Sequence, residues 1–249
     1  MAHAGRVAVR PDGRLPGELR PLRFQLDVSI HAEGSCIVEM GATRVFCTAS
    51  VDENVPAWRR ASGQGWVSAE YRMLPRATNT RSEREGRNDK KGRTAEIERL
   101  IGRSLRAAVD LGALGPRVVT VDCDVLQADG GTRCAAINGG FVALALALRR
   151  LVDGGALTTL PFRTQVAAVS VGVVAGAPVL DLPYAEDSIA DADVNLVLTG
   201  GLDIVEIQGT AENAVIPRAT LDALLALGEA GITQVLQTQR AALPFELPR

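Results

Sequence analysis

Histidine is almost absent from this chain of 249 residues, in which only His3 and His31 occur. A Ser-His-Asp or Cys-His relay needs a positioned imidazole, so nucleophilic hydrolase chemistry has no evident base. The four cysteines, Cys36, Cys47, Cys123 and Cys134, form no CxxC pair. They signal neither a zinc site nor a redox motif, and their apolar or small neighbours predict buried thiols. The patterns GxSxG, HExxH, GxxxxGK(S/T) and GxGxxG are missing as well. Serine hydrolases, zinc proteases, P-loop NTPases and simple dinucleotide-binding dehydrogenases are thereby disfavoured. Aromatic residues make up only 4%, which leaves the core to Val, Leu, Ile and Ala. Lysine is confined to Lys90 and Lys91, and every other basic residue is arginine. That bias fits a GC-rich genome, and it fits bidentate phosphate recognition, which Arg performs better than Lys. With a net charge of −2, no global field draws the chain to nucleic acid, so any grip on a polyanion is local. The opening MAHAGRVAVR lacks an apolar run of signal-peptide length. The longest apolar run, Phe141 to Leu148, is too short to span a bilayer. A soluble, cytoplasmic protein with no membrane partner is expected.

Glycines and prolines at Gly5, Pro11, Gly13, Pro16, Gly17 and Pro21 make residues 1–21 an irregular N-terminal arm. Leu22 to Ile30 alternates as a strand. Cys36 to Met40 and Val45 to Val51 flank Gly41-Ala42 as a hairpin. Asn54 to Gly65 is turn-rich, and Arg72 to Lys91 lacks apolar periodicity, which predicts a mobile loop. From near Thr94, residues Ile97, Leu100, Ile101, Leu105 and Ala108 share one helical face, until Gly112 and Gly115-Pro116 end the helix. Val118 to Leu126 reads as a strand, and Arg133 to Leu151, apolar nearly all round, as a buried helix. Strands follow at Val166 to Val174, Val179 to Leu182, Val194 to Leu198 and Ile204 to Gln208. A last helix runs from Pro217 to Leu227 or beyond. The order predicts an α+β chain, with a single domain over residues 22–243 and a tail at 244–249.

Three features carry chemistry. Asp129-Gly130-Gly131-Thr132-Arg133 lies between a strand and a helix. Its backbone N–H groups, the helix dipole, a Thr132 hydroxyl and the Arg133 fork suit a small anion. An ordinary glycine turn with Thr132 as helix cap is the plainer reading. From Arg72 to Arg106 eleven Lys or Arg face five Asp or Glu, either a solvated face or a sequence-tolerant grip on RNA phosphates. Between Arg163 and Arg218 there is no Lys or Arg, yet eight carboxylates occur, four of them from Glu186 to Asp193. Such carboxylates repel unless a divalent metal or a proton neutralises them, or unless the turn is simply solvated. Taken together, a free phosphate, an activated phosphodiester and a held RNA chain describe a phosphorolytic nuclease.

The segments Arg10 to Arg14, Gly63 to Trp66, Ala69 to Tyr71, Met73 to Arg76 and Gly92 to Thr94 occur in an ordered series. DCDVLQADGGTR from Asp122 to Arg133, Ala167 to Gly172, Glu186 to Ser188 and Val205 to Glu212 continue it. In these segments the chain closely resembles the ribonuclease PH family of phosphate-dependent exoribonucleases, over nearly its whole length. The resemblance implies the β-α-β fold shared with polynucleotide phosphorylase and exosome ring subunits, and a homo-hexamer built as a trimer of dimers. It implies trimming of tRNA precursors and other structured RNA 3′ ends, with release of nucleoside 5′-diphosphates and a reversible nucleotidyltransferase reaction. Arg93, Gly131, Thr132 and Arg133 would bind phosphate. Asp187 and Asp193 would be catalytic and hold Mg²⁺, with Arg93 and Arg133 also in the catalytic set. Arg76, Arg81 and Arg84 would grip tRNA. A non-catalytic RNA-binding ring subunit and a metal-dependent hydrolytic nuclease are the alternatives. A scaffold has no reason to keep the phosphate turn, Arg133 and both Asp187 and Asp193 together, and a hydrolytic nuclease would release nucleoside monophosphates.

Overall fold

Alternating Val, Cys and Ala residues build the first sheet. In the computed structural model, which describes residues 10–86, 92–211 and 215–247, it contains β1 (Leu22–Leu26), β2 (Gly34–Met40), β3 (Thr43–Asp52), β4 (Trp66–Met73) and β5 (Val118–Gln127). Their order is β1-β2-β3-β5-β4. The β2–β3 hairpin closes on Gly41-Ala42 as expected, Met40 pairing with Thr43. The first strand is shorter than its alternation predicts. It stops at Leu26 because Asp27 takes a positive φ of 53° and turns the chain away. β4 is a strand between the turn-rich stretch and the basic stretch, and neither signals it. It lies parallel to β5 at the sheet edge, Val67 beside Val119 and Tyr71 beside Cys123. Only Val67 and Tyr71 are fully buried along it, so its apolar signal is thin, and Arg72, the first residue of the expected loop, lies on this strand.

The second sheet contains β6 (Val166–Val174), β7 (Ala177–Leu180), β8 (Ala192–Thr199) and β9 (Ile204–Ala211), all antiparallel in the order β7-β6-β8-β9. Between the sheets runs α4 (Thr132–Asp153), buried from Cys134 to Leu148. Its apolar surface all round is the consequence of two sheets closing on it. Buried Asn138 ties it to β6: its Nδ2 donates to the Ala168 carbonyl at 2.9 Å, and its Oδ1 accepts from the Ala168 N–H at 2.8 Å. Val166, Ala168 and Val197 of the second sheet belong to the same core as the first sheet. The remaining helices are α1 (Ala57–Arg60), α2 (Gly92–Ala108), α3 (Leu111–Leu114), α5 (Tyr184–Asp187) and α6 (Arg218–Ala242). The amphipathic α2 buries Ile97, Leu100, Ile101, Leu105 and Ala108 as its spacing predicts. The four cysteines are all buried and free.

The close approach of α4 to β2 requires glycine at position 34. A Cβ on Gly34 would lie 2.0 Å from the Ala143 carbonyl oxygen and 2.5 Å from the Ala147 nitrogen. Backbone cannot step aside as a side chain can, so Gly34→Ala is expected to cost about 2–3 kcal/mol. A denaturant titration checks this, and a midpoint equal to that of the parent chain would refute it.

Candidate active site

β5 leaves the first sheet at Gln127, and the chain turns through Ala128 to Gly131 before α4 begins. Both glycines take left-handed conformations, with φ of 72° at Gly130 and 64° at Gly131. Gly130 also seats directly on the second half of the chain, where a Cβ would fall 2.5 Å from the Leu182 carbonyl oxygen. The first amides of a helix have no intrahelical acceptor, and this turn presents them at a cleft of about 880 Å³ between the two sheets. Thr132 is the first helical residue rather than the cap; Gly131 occupies the cap position, and no side chain caps the helix. The Thr132 hydroxyl instead accepts a hydrogen bond of 2.9 Å from the buried phenol of Tyr71. Burial raises the pKa of that phenol, so it stays a donor and leaves the Thr132 proton free to serve another acceptor.

Arg133, one residue further, is braced from two sides. Its Nη1 donates to Gln208 Oε1 of β9 at 3.0 Å and lies 3.4 Å from Glu96 Oε1 of α2. Arg93 stands exposed in the first turn of α2 and lines the same cleft. Asp187, at the end of α5, and Asp193, on β8, line the same cleft. Burial pushes the Asp193 carboxyl up to about 6, with help from neighbouring Asp187. Arg133, a hydrogen bond from Asn195 and Arg93 work in the opposite direction. Asp187 is exposed, and partial desolvation at the cleft raises its pKa against the pull of Arg93, Arg133 and Arg20. Asp193 Oδ2 receives the Asn195 amide at 3.2 Å, whereas its buried Oδ1 has no hydrogen-bond partner among the described residues.

The cleft therefore brings together Arg93, Gly131, Thr132, Arg133, Asp187 and Asp193, with Arg76 on its wall. Arg81 and Arg84 lie exposed outside it. The expected mobile loop extends beyond the described residues at 87–91, and its first residues, Arg72 and Met73, belong to β4. The acidic stretch is also resolved differently from its sequence. Asp181 and Glu186 need neither metal nor proton, because the N-terminal arm neutralises them. Arg10 forms a bidentate pair with Glu186 at 2.9 and 2.6 Å. Arg20 holds Asp181 Oδ1 at 2.6 Å and Oδ2 at 3.0 Å. Burial opposes ionisation of Asp181, but the Arg20 hydrogen bonds and charge keep its pKa below the ordinary carboxylate value. These partners are separated by 176 and 161 residues. The one available signal was an arm rich in arginine and a later stretch with none.

Residues 18–149 match the first domain of the 3′ exoribonuclease family, and residues 164–231 match its second domain. The chain belongs to this family. The two matched segments follow the two sheets, with α4 completing the first. Ribonuclease PH of Caulobacter vibrioides is 57% identical over 236 residues, covering 94% of this chain and 99% of that protein. The expectation of a phosphate-dependent 3′-to-5′ exoribonuclease acting in tRNA processing holds with it. At the level of fold, rice Rrp46 superposes with a TM-score of 0.75 at 20% identity, over 93% of this chain and 98% of that one. An Archaeoglobus fulgidus exosome with RNA bound to its active site gives 0.77 at 22% identity, over 92% of each chain.

Proposed function

We propose that this cleft removes nucleotides from the 3′ end of tRNA precursors, with the two arginines and the glycine turn holding phosphate opposite the carboxylate pair. The observation that carries the reading is this division of charge. Arg93, Arg133 and the amides of the Gly131-Thr132 turn suit a tetrahedral anion, and Asp187 and Asp193 line the same cleft. A phosphate oxygen attacks the terminal phosphodiester. The bond from that phosphorus to the preceding 3′ oxygen breaks, and a nucleoside 5′-diphosphate leaves. Arg93, Thr132 and Arg133 orient the nucleophile and offset charge growing on the transferring group. The departing 3′ oxygen takes up a proton, for which Asp187 is one source. Because one phosphate linkage replaces another, the reaction also runs in reverse as nucleotide addition.

The site fits Mg²⁺. Among the described residues no cluster of three or more acidic, His or Cys side chains converges. Mg²⁺ commonly takes one or two carboxylates and completes its shell with water and substrate phosphate. Asp193, whose buried Oδ1 lacks a partner, and Asp187 would hold it. When bound, the ion would polarise the phosphodiester and neutralise the leaving oxygen. Arg76, Arg81 and Arg84, the latter two beyond the cleft, would grip the body of a folded tRNA through its phosphates. A homo-hexamer arranged as a trimer of dimers, working in the cytoplasm, completes the proposal.

Incubating the protein with a 3′-extended tRNA, with and without phosphate, tests it. Nucleoside diphosphates that form only with phosphate are expected. Monophosphates formed in phosphate-free buffer would indicate hydrolysis and overturn the reading. No degradation under either condition would favour the non-catalytic ring subunit.

A further inference from the structure

The glycine turn does not hold its own shape. Left-handed geometry at two successive glycines is accessible to many other loop conformations, and glycine resists none of them. What fixes the turn is a buried arginine from the N-terminal arm. Arg20 donates from Nη1 to the Asp129 carbonyl, and its Nη2 lies 3.5 Å from the Gly130 carbonyl. The guanidinium is itself fastened by both oxygens of Asp181, of which Oδ2 also accepts the Arg20 backbone N–H at 2.8 Å. Buried Thr43 completes the hold: its hydroxyl donates to the Gly130 carbonyl at 2.7 Å and accepts the Asp129 N–H at 2.9 Å. A peptide unit is planar and trans, so its carbonyl and the following N–H point in opposite directions. Pinning the carbonyls of Asp129 and Gly130 therefore sets the direction of the N–H groups of Gly130 and Gly131. Gly130 and Gly131 line the cleft, whereas Arg20 is buried and does not.

We propose that Arg20, anchored by Asp181, is a positioning residue for the phosphate co-substrate: it fixes the amides of the glycine turn toward the cleft without touching phosphate. The inference rests on the reading of that turn as the phosphate site. It gives the N-terminal arm a part in the reaction, because Arg20 joins the arm, the β5–α4 turn and the segment that leads into α5. Arginine is required by geometry. One planar fork spans a carboxylate and two carbonyls, whereas the point charge of lysine cannot reach all three.

Two variants separate positioning from folding. Arg20→Lys keeps a cation beside Asp181. The double variant Arg20→Met with Asp181→Asn removes both buried charges together, so neither is left unpaired, and asparagine tolerates the positive φ of 55° at position 181. In both, the KM for phosphate is expected to rise about tenfold to a hundredfold, since small misplacements of a reactant carry losses of that order. The KM for a 3′-extended RNA and the thermal midpoint of the double variant should stay near the parent values. An unchanged phosphate KM in either folded variant would overturn the inference. So would equal losses for phosphate and RNA, which would mark a general distortion. The parent enzyme is run alongside with phosphate varied. If its own turnover does not depend on phosphate, the phosphate site itself fails, an outcome distinct from failure of Arg20 alone.

Discussion

Replacing Arg133 by alanine is expected to lower phosphorolysis about a hundredfold. A charged, bidentate donor aimed at a transferring phosphoryl group is worth roughly 3 kcal/mol in the transition state. Arg93, which lines the same cleft, is carried by a different helix. The fold should survive the change. Arg133 contacts Gln208 and Glu96, and Glu96 is half-exposed, with 46% of its side chain accessible, so water solvates the carboxylate that loses its partner. Turnover at limiting and saturating phosphate, read beside a thermal melt, is the measurement. A variant with parental rates at limiting phosphate would reduce the glycine turn to a purely structural feature. Arg133→Lys should recover only part of the rate, because it restores the charge without the fork.

The second large effect is expected at Asp193, where activity and stability should move in opposite directions. Burial and Asp187 push this carboxyl up to about 6 from an ordinary 3.8. Between those two pH values the native chain keeps a proton that the unfolded chain has released, so stability falls as pH rises through the window. Above about 6 the native state carries the full cost of a buried carboxylate, about 2–3 kcal/mol from the gap between the two values. Asp193→Asn removes that cost. In chelator at pH 7.5 its melting temperature should rise by about 5–10 °C, and at pH 5, where the parent is already largely protonated, the gain should shrink. Turnover should drop by more than about a hundredfold, because the neutral amide supplies no anionic oxygen for a cation. The parent enzyme should likewise lose activity as pH falls through about 6. Equal melting temperatures for variant and parent at pH 7.5 would show that Arg133 and Arg93 already neutralise the carboxylate, and normal turnover would remove Asp193 from the reaction.

The elements with strong periodicity were legible in the sequence. The apolar face of α2, the all-round apolar α4, the β2–β3 hairpin and β6 stand where their patterns placed them, since burial on a helix or strand repeats at the period of the backbone. Ends and thin elements were less legible. β1 stops short at Asp27, a position decided by a positive φ rather than by hydrophobicity. β4 was missed because an edge strand buries few side chains, and α5 is a single turn with Glu186 as its only buried residue.

For the site, the residue types and their grouping were set by the sequence. Glycine next to glycine before a helix, arginine at 133 and an acidic stretch without cations each point to anion or metal chemistry from composition and spacing alone. Which carboxylates remain available for that chemistry was decided only by tertiary structure. Asp181, Glu186, Asp187 and Asp193 look alike along the chain, and the fold sorts them by bringing the N-terminal arm across the second sheet. Arg10 and Arg20 satisfy Glu186 and Asp181 in buried pairs, while Asp187 and Asp193 are left facing the cleft with raised pKa values. A charge's partner depends on distance in space, and these partners are more than 160 residues apart in the chain; no local pattern records which acid an arginine will reach.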